Sequence, residues 1–415
     1  MSAQNPSATF TCPACGLLCD DITPSNNTCA KSIAFFGQNL GETSPQIKGK
    51  KVSLQEAILA AANILKNSQN PLFAGLSTDI AGFKALHHLA EKTNASLAHM
   101  NSASMQKNLK VLQSSGWQTT TLTEVKNRAD LIVCVGSDIV SHNPRFFERF
   151  VDVEGMFVGE KNKTRKIVFL GTKKPHIKSP ALEAAWILAH RAGALPSVLS
   201  ALHAIVLGKP LKADEVGGVK REDLEDLASK LKAAKYAVLA WVAQDLNFPH
   251  AELAIEQITQ IIAALNQSDS NHFGRAAGLP LGGSDGDTSA NNIHTWRDGV
   301  ILDDATGQNH SSASPAANSH APYSKLNHDA VVWINSFNAE KLSPKSDAPL
   351  IVLGNANTTF AQTPDVFIPI ATPGLDCAGT LFRIDGSVIL PLKKVRENNL
   401  STLAEIARQI EVALK

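Results

Sequence analysis

Four cysteines lie within eighteen positions near the start of the chain. Cys12, Cys15 and Cys19 follow a C-x2-C-x3-C spacing, and Cys29 comes after a turn of Pro24, Ser25, Asn26 and Asn27. The close spacings put three sulfurs on one tight loop, and the fourth thiolate can close a 4Fe-4S cluster, whose irons need anionic sulfur ligands. Structural zinc is the rival, although its usual pattern is two separated C-x2-C pairs. A loop that holds no metal is the third reading. Cys134 and Cys377 stand apart from this group.

Other polar groupings carry weaker chemistry. Asp285, Asp287, His294 and Asp298 could serve a hard metal or acid–base work. Gly282, Gly283 and Gly286 beside them predict a turn-rich loop whose acids face water. His87 and His88 are adjacent, so on a helix they cannot chelate as an i, i+4 pair, and they read as surface residues. Arg145, in Asn143-Pro144-Arg145 after the Gly136 loop, is a cation for which the family resemblance given below implies a phosphate or a partner's carboxylate. Arg383 with Asp385-Gly386 reads as a turn with a local ion pair, and Lys161 to Lys166 as a solvated loop. No Walker-type loop occurs, so an independent nucleotidase is unsupported.

The elements that must position these residues are legible from periodicity. Ser53 to Leu65 spaces its apolar residues along one helix face, with Ser53 and Glu56 as a capping box. Leu72–Leu76 leads through Ser77 and Thr78 into a second helical pattern ending near Glu91. Short apolar runs read as strands buried on both faces: 130–136, 166–170, 236–242, 330–334, 349–353 and 366–370. Strands alternating with helices predict an α/β chain with parallel sheets. Several of the runs end in Gly and a small polar residue, at the strand ends where such folds bind ligands. From Gly278 to Tyr323 the periodicity fails. That stretch reads as one long irregular loop, with Trp296 and Arg297 as contact residues and 311–319 as a surface insertion.

Composition excludes several classes. With 415 residues the chain is expected to hold more than one domain. A formal net charge of +1 supplies no field to attract a polyanion, so nucleic acid is a poor partner. The most apolar segment, Leu182 to Leu207, is broken by Glu183, His190, Arg191, Pro196 and His203, which argues against a membrane span. Met1 to Phe10 shows neither a basic n-region nor an apolar h-region, which predicts a cytoplasmic protein.

Three blocks together carry a family resemblance: CPACGLLCDDI with CAKSIAFF, TLTEVKNRADLIVCVGSDIVSHNPRFFERF, and TPDVFIPIATPGLDCAGTLFRIDGSVILPLKK. They resemble the B subunit of formylmethanofuran dehydrogenase, in the molybdopterin oxidoreductase superfamily. In particular they are similar to the B subunit of the formyltransferase/hydrolase complexes of methylotrophic bacteria. Catalytic members hold tungsten or molybdenum through two pterin dithiolenes and one protein Cys or selenocysteine shortly before the EVKNRAD block. Here Ala98 to Trp117 contains no Cys, and Met100 and Met105 are uncharged thioethers, poor ligands for a metal that prefers anionic sulfur.

The resemblance therefore implies a non-catalytic organising subunit without tungsten or molybdenum pterin. Formyltransferase, amidohydrolase-like and C subunits would be its partners, and they would bind a methanofuran-like carrier. The alternative is an active metal-pterin subunit with a 4Fe-4S cluster on Cys12, Cys15, Cys19 and Cys29. The implied architecture has two doubly wound parallel-sheet domains, one inserted in the other. Residues 1–52 would form a small cysteine-bearing N-terminal lobe, 53–130 would join 275–415, and 131–274 would form the insert.

Overall fold

The structure, a computed structural model, describes residues 9–23, 27–158, 165–171, 179–267, 274–302 and 328–415. The described residues divide into two compact units, one of residues 9–23, 27–103, 283–302 and 328–415 and the other of the described residues between 104 and 282.

The first unit opens with α1 (Ala30–Phe36), β1 (Gln46–Ile47), β2 (Lys50–Lys51), α2 (Leu54–Asn67), β3 (Pro71–Ser77), α3 (Ile80–Thr93) and β4 (Ser96–His99). The second takes up α4 (Ser102–Ser114), α5 (Leu122–Arg128), β5 (Leu131–Val135), α6 (Ile139–His142), a π-helical turn (Phe147–Val151), β6 (Lys166–Leu170), α7 (Pro180–Glu183), β7 (Trp186–Leu188) and α8 (Leu195–Val206). It continues with β8 (Glu215–Val216), β9 (Val219–Lys220), α9 (Arg221–Ala233), β10 (Tyr236–Val242), α10 (Ala251–Gln267) and β11 (Arg275–Leu281). The chain then re-enters the first unit with α11 (Asp287–Asp298), β12 (Ala330–Asn335), β13 (Leu350–Gly354), β14 (Val366–Pro369), β15 (Gly379–Phe382), β16 (Ile389–Leu392) and α12 (Leu403–Ala413).

The capping box expected at Ser53 and Glu56 is formed, and α2 turns Ala57, Ile58, Ala61, Ala62 and Leu65 inward. The sheet it covers has the order β2-β1-β14-β13-β12-β3-β4, parallel except at the β1 and β2 edge. Strand alternation sorts its side chains into two layers. Phe73, Val332, Ile334, Ile351, Leu353 and Ile368 pack with α2, α3, α11 and α12. Leu72, Ala74, Val331, Trp333, Leu350, Val352 and Phe367 form a second cluster with Met100 and Phe360, to which no described helix of this unit contributes. This sheet thus carries its long helices on one face, a departure from the double winding expected.

The second sheet, β11-β10-β5-β6-β7, is parallel throughout and covered on both faces. Helices α8, α9 and α10 pack on Leu131, Val133, Val135, Val168, Leu239 and Trp241. On the other face Phe147 of the π-helical turn meets Phe169, with ring centroids 6.4 Å apart.

Both units place their boundaries away from 130/131 and 274/275. β11 pairs along its whole length with β10, which binds residues 275–281 to the inserted unit. Residues 9–23 and 27–52 group with the first unit, where Leu18 and Phe35 share a core with Phe337, Leu375, Leu381 and Leu392. The stretch expected to be one irregular loop contains strand β11 and helix α11; its part from 303 to 323, including 311–319, lies outside the described residues. Among the described residues no helix is long and apolar enough to cross a membrane.

Candidate functional site

Each parallel sheet has a place where its strand order reverses, and ligands of such folds bind beyond the carboxyl ends of the strands at that place. In the second unit it lies between β5 and β10, where the polar groups satisfy one another. The Ser137 hydroxyl donates to the Val135 carbonyl at 2.9 Å and accepts from the Val242 N–H at 2.9 Å. Asp245 accepts from the Asp138 N–H at 2.8 Å and faces His142 Nε2 at 2.7 Å.

In the first unit the reversal lies between β3 and β12, and the pattern is the opposite. Ser77, Thr78, Ser336, Ser343 and Asn355 are buried, yet their Oγ, Oγ1, Oγ, Oγ and Nδ2 atoms have no hydrogen-bond partner, and neither has Thr358 Oγ1. Native interiors pair such groups with protein or water, so these atoms are free to take up a polar ligand or bound water. The backbone is strained around the same ends: Leu76 and Asp285 have φ of 54° and 59°, a region that side-chain-bearing residues seldom adopt. A Cβ on Gly75 would lie 2.3 Å from the Ile334 carbonyl oxygen, so only glycine permits β3 and β12 to approach this closely.

Next to these ends is a buried charged network. Lys341 Nζ donates to Asp285 Oδ2 at 2.8 Å and to Asn101 Oδ1 at 3.0 Å. Asn101 donates to the Ser284 carbonyl at 3.1 Å and to Asp287 Oδ2 at 3.2 Å, while its own N–H donates to His99 Nδ1 at 3.0 Å. Burial alone would raise the Asp285 carboxyl; the Lys341 ammonium and the Ser284 hydroxyl outweigh it and hold the pKa below the usual carboxylate value. Burial pushes His99 down and keeps it neutral, against the opposing pull of Asp287 and Asp285. Asp285 and Asp287 therefore do not face water as expected from the glycines around them. His87 is buried as well, with its side chain 4% exposed, because α3 turns it toward α11 rather than outward.

The cysteine loop is tied to this region by two backbone bonds, from the Gly16 N–H to Gly283 O at 2.8 Å and from the Ile384 N–H to Gly16 O at 2.9 Å. Cys12 N donates to Cys19 O at 2.8 Å, which closes the loop, and Leu18 sits within it at φ 45°. Cys12, Cys15 and Cys19 are buried, and Cys29 is half-buried immediately before α1. Burial pushes the Cys12 thiol up to about 12 and the Cys15 thiol up to about 11, and neighbouring cysteines add to both. Bare thiolates are thus disfavoured, and a cation among them would reverse that. No three of the four sulfurs group within 4.8 Å. Sulfurs around a single zinc lie about 3.8 Å apart, as follows from a Zn–S bond of about 2.3 Å. Thiols are the donors that an iron–sulfur cluster takes, so the residue types present fit iron and sulfide.

The fit to a metal-pterin is only partial. The orphaned hydroxyls suit a polar ligand, while the cysteines outside the N-terminal group, Cys377 and Cys134, are held as protonated thiols by burial. Cys377 lies in the loop after β14, and burial together with Asp79 and Asp376 pushes its thiol up to about 12. Cys134 is fully buried in β5, which raises its thiol far above the ordinary value.

The other residues singled out in the sequence have local roles. Arg145 is buried and pairs with Glu148 of its own chain at 2.6 Å, and Asn143 clasps the Gly282 backbone through both its amide atoms. Arg383 and Asp385 form the expected pair at 2.6 Å. Arg165 is not solvated: its guanidinium is buried against the carbonyls of Val125, Phe150 and Lys126. Residues 161–164 lie outside the described residues.

No family model matches the chain. Individual relatives do, over almost its whole length. The B subunit of the tungsten-containing formylmethanofuran dehydrogenase 2 of Methanococcus maripaludis is 25% identical over 411 aligned residues, covering 92% of each chain. The chain resembles the B subunit of formylmethanofuran dehydrogenase. The B subunit of the formyltransferase/hydrolase complex Fhc of Methylorubrum extorquens is 26% identical over 359 aligned residues, covering 83% of this chain and 89% of that one. In structure, a chain of the M. extorquens FhcABCD complex with methylofuran matches with a TM-score of 0.72 and 23% identity, over 89% of this chain and 98% of the other. Acetylene hydratase from Pelobacter acetylenicus shares the fold with a TM-score of 0.62 and 11% identity, over 98% of this chain and 69% of that one.

Proposed function

We propose that the chain is an organising subunit of a formyltransferase/hydrolase complex. In such a complex the formyl group passes to a methanofuran-like carrier and is released as formate on partner subunits: a formyltransferase, an amidohydrolase-like subunit and a C subunit. The observation that carries this reading is the near-full-length likeness to B subunits combined with a segment, 98–117, that holds no cysteine. Without an anionic sulfur there, the chain lacks the protein ligand that catalytic members offer tungsten or molybdenum. Its residues would supply shape and contacts, with Cys12, Cys15, Cys19 and Cys29 holding a 4Fe-4S cluster as a retained structural or electron-storing group.

The competing reading is an active tungsten- or molybdenum-pterin subunit. The orphaned polar atoms at the β3 and β12 ends favour it, since a pterin is the kind of ligand they could meet. Metal analysis of the complex captured from its native host on a tagged copy of this chain separates the two. The organising role expects formyl hydrolysis with far less than one tungsten or molybdenum per chain. About one such metal with two pterins, and formyl-dependent reduction of a dye, would overturn it.

A further inference from the structure

Helices α3 and α11 each present a histidine and, one turn later, an acid: His87 with Glu91 and His294 with Asp298. The two helices pack together so that both imidazoles converge on one carboxylate oxygen. His87 Nε2 lies 2.5 Å from Asp298 Oδ2 and His294 Nδ1 lies 2.7 Å from the same atom. Among the described residues this is the trio of potential ligand atoms lying within 4.8 Å of one another. From these residues we infer a binding site for a divalent transition metal of the zinc class, separate from the cysteine loop.

Three features support it. A shared oxygen does not satisfy both rings: His294 Nδ1 is close to Asp298 but out of hydrogen-bond alignment, and it is buried without a partner. A cation between them takes up the lone pairs of all three groups, which two neutral imidazoles and one carboxylate cannot do for one another. Second, Asp298 is the last residue of α11, where the helix dipole opposes a negative charge, so an added cation is favoured there. Third, an outer carboxylate is near. His87 Nδ1 is buried without a hydrogen-bond partner, Glu91 Oε1 lies 3.5 Å from it, and Arg297 holds both oxygens of that carboxylate at 3.0 Å. A carboxylate behind a ligating imidazole fixes its tautomer and raises its basicity.

The donor set is two imidazoles and a carboxylate, suited to zinc and its neighbours rather than to magnesium or calcium. Ligand atoms around tetrahedral zinc lie about 3.4 Å apart, as follows from bonds of about 2.1 Å. The part-exposed Asp298 side chain has to swing out by less than about 1 Å to reach that spacing. Three protein ligands leave one position for water, and the metal would pin α11 to α3.

The test is equilibrium dialysis of the full chain, stripped with chelator, against Zn2+ alone. One equivalent is expected that persists in the Cys15→Ser/Cys29→Ser double variant and is lost in His294→Gln. Co2+ at that equivalent should show d–d absorption without thiolate charge-transfer bands. Glu91→Gln should weaken binding by about 10- to 100-fold. Asp298→Asn, at a part-exposed position, gives the same reading if His294→Gln does not fold. Equal zinc stoichiometry in wild type and in both His294→Gln and Asp298→Asn overturns the site, as does the loss of every equivalent in the cysteine variant.

Discussion

The Ser336 N–H donates to the Ser77 carbonyl at 2.8 Å, tying together the ends of the two strands between which the first sheet reverses its order. The hydroxyls of both residues are buried and unpartnered. Backbone order at the junction is thus complete while its side-chain chemistry is left open.

Ser336→Ala should therefore stabilise the isolated chain, by up to about 1–3 kcal/mol, because a buried hydroxyl without a partner costs about that much. Urea midpoints of the two proteins measure it. A clear loss of stability would mean that the hydroxyl is already bonded, to water or to a ligand that copurifies.

Lys341→Met removes the cation from a carboxylate that is 4% exposed. Leaving Asp285 buried and unpaired should cost about 3–5 kcal/mol at neutral pH. Lys341→Met/Asp285→Leu should recover most of that loss in the same denaturation experiment.

The pH response follows from His99. Its pKa is depressed by burial, so below the unfolded-state value of about 6.5 the unfolded chain takes up a proton that the folded chain refuses. Stability from this group is full above about pH 6.5 and declines as pH falls toward the folded pKa. His99→Gln should show a shallower loss of denaturant midpoint between about pH 7 and about pH 5.5. Asp285 acts elsewhere: with its pKa lowered, its contribution is lost only in more strongly acidic solution.

Anaerobically purified chain should contain about four irons, with visible absorption that Cys15→Ser abolishes. Iron and sulfide analysis of the two proteins checks this; zinc in place of iron would assign the loop to a structural metal.

Trp296 is 67% exposed, with its ring edge-on to Phe382 at 5.3 Å. Exposed tryptophans are frequent anchors of interfaces. Trp296→Ala should weaken assembly with the partner subunits by about 30-fold, equivalent to about 2 kcal/mol, while leaving the isolated chain folded. Unchanged assembly would move attention to the surface near Glu148.

The strands that could be read from the sequence were those with unbroken apolar runs, such as Leu131–Val135 and Leu350–Gly354, because burial on both faces demands such runs. β11 was concealed by Gly278 and Pro280. Gly278 is required where the Trp241 ring would stand 2.9 Å from a Cβ, and Pro280 is tolerated because β11 is an edge strand. α11 was concealed because its inward face is narrow, consisting of Ser289, Ala290 and Ile293 between polar residues. The cysteine group was evident from spacing alone. The His87 and His294 pairing could not be, since it depends on two helices far apart in sequence meeting at one carboxylate.

The interruption of the first unit also has a temporal side. Asp329 accepts a hydrogen bond from the Asn70 N–H, 259 positions earlier, just where β12 joins β3. During synthesis, β3 and β4 leave the ribosome long before the strand that completes their sheet exists, whereas every strand of the five-stranded sheet has emerged by Leu281. The later-begun unit can therefore finish folding first. Until then β3 presents an apolar edge to the cell, the kind of surface that chaperones hold.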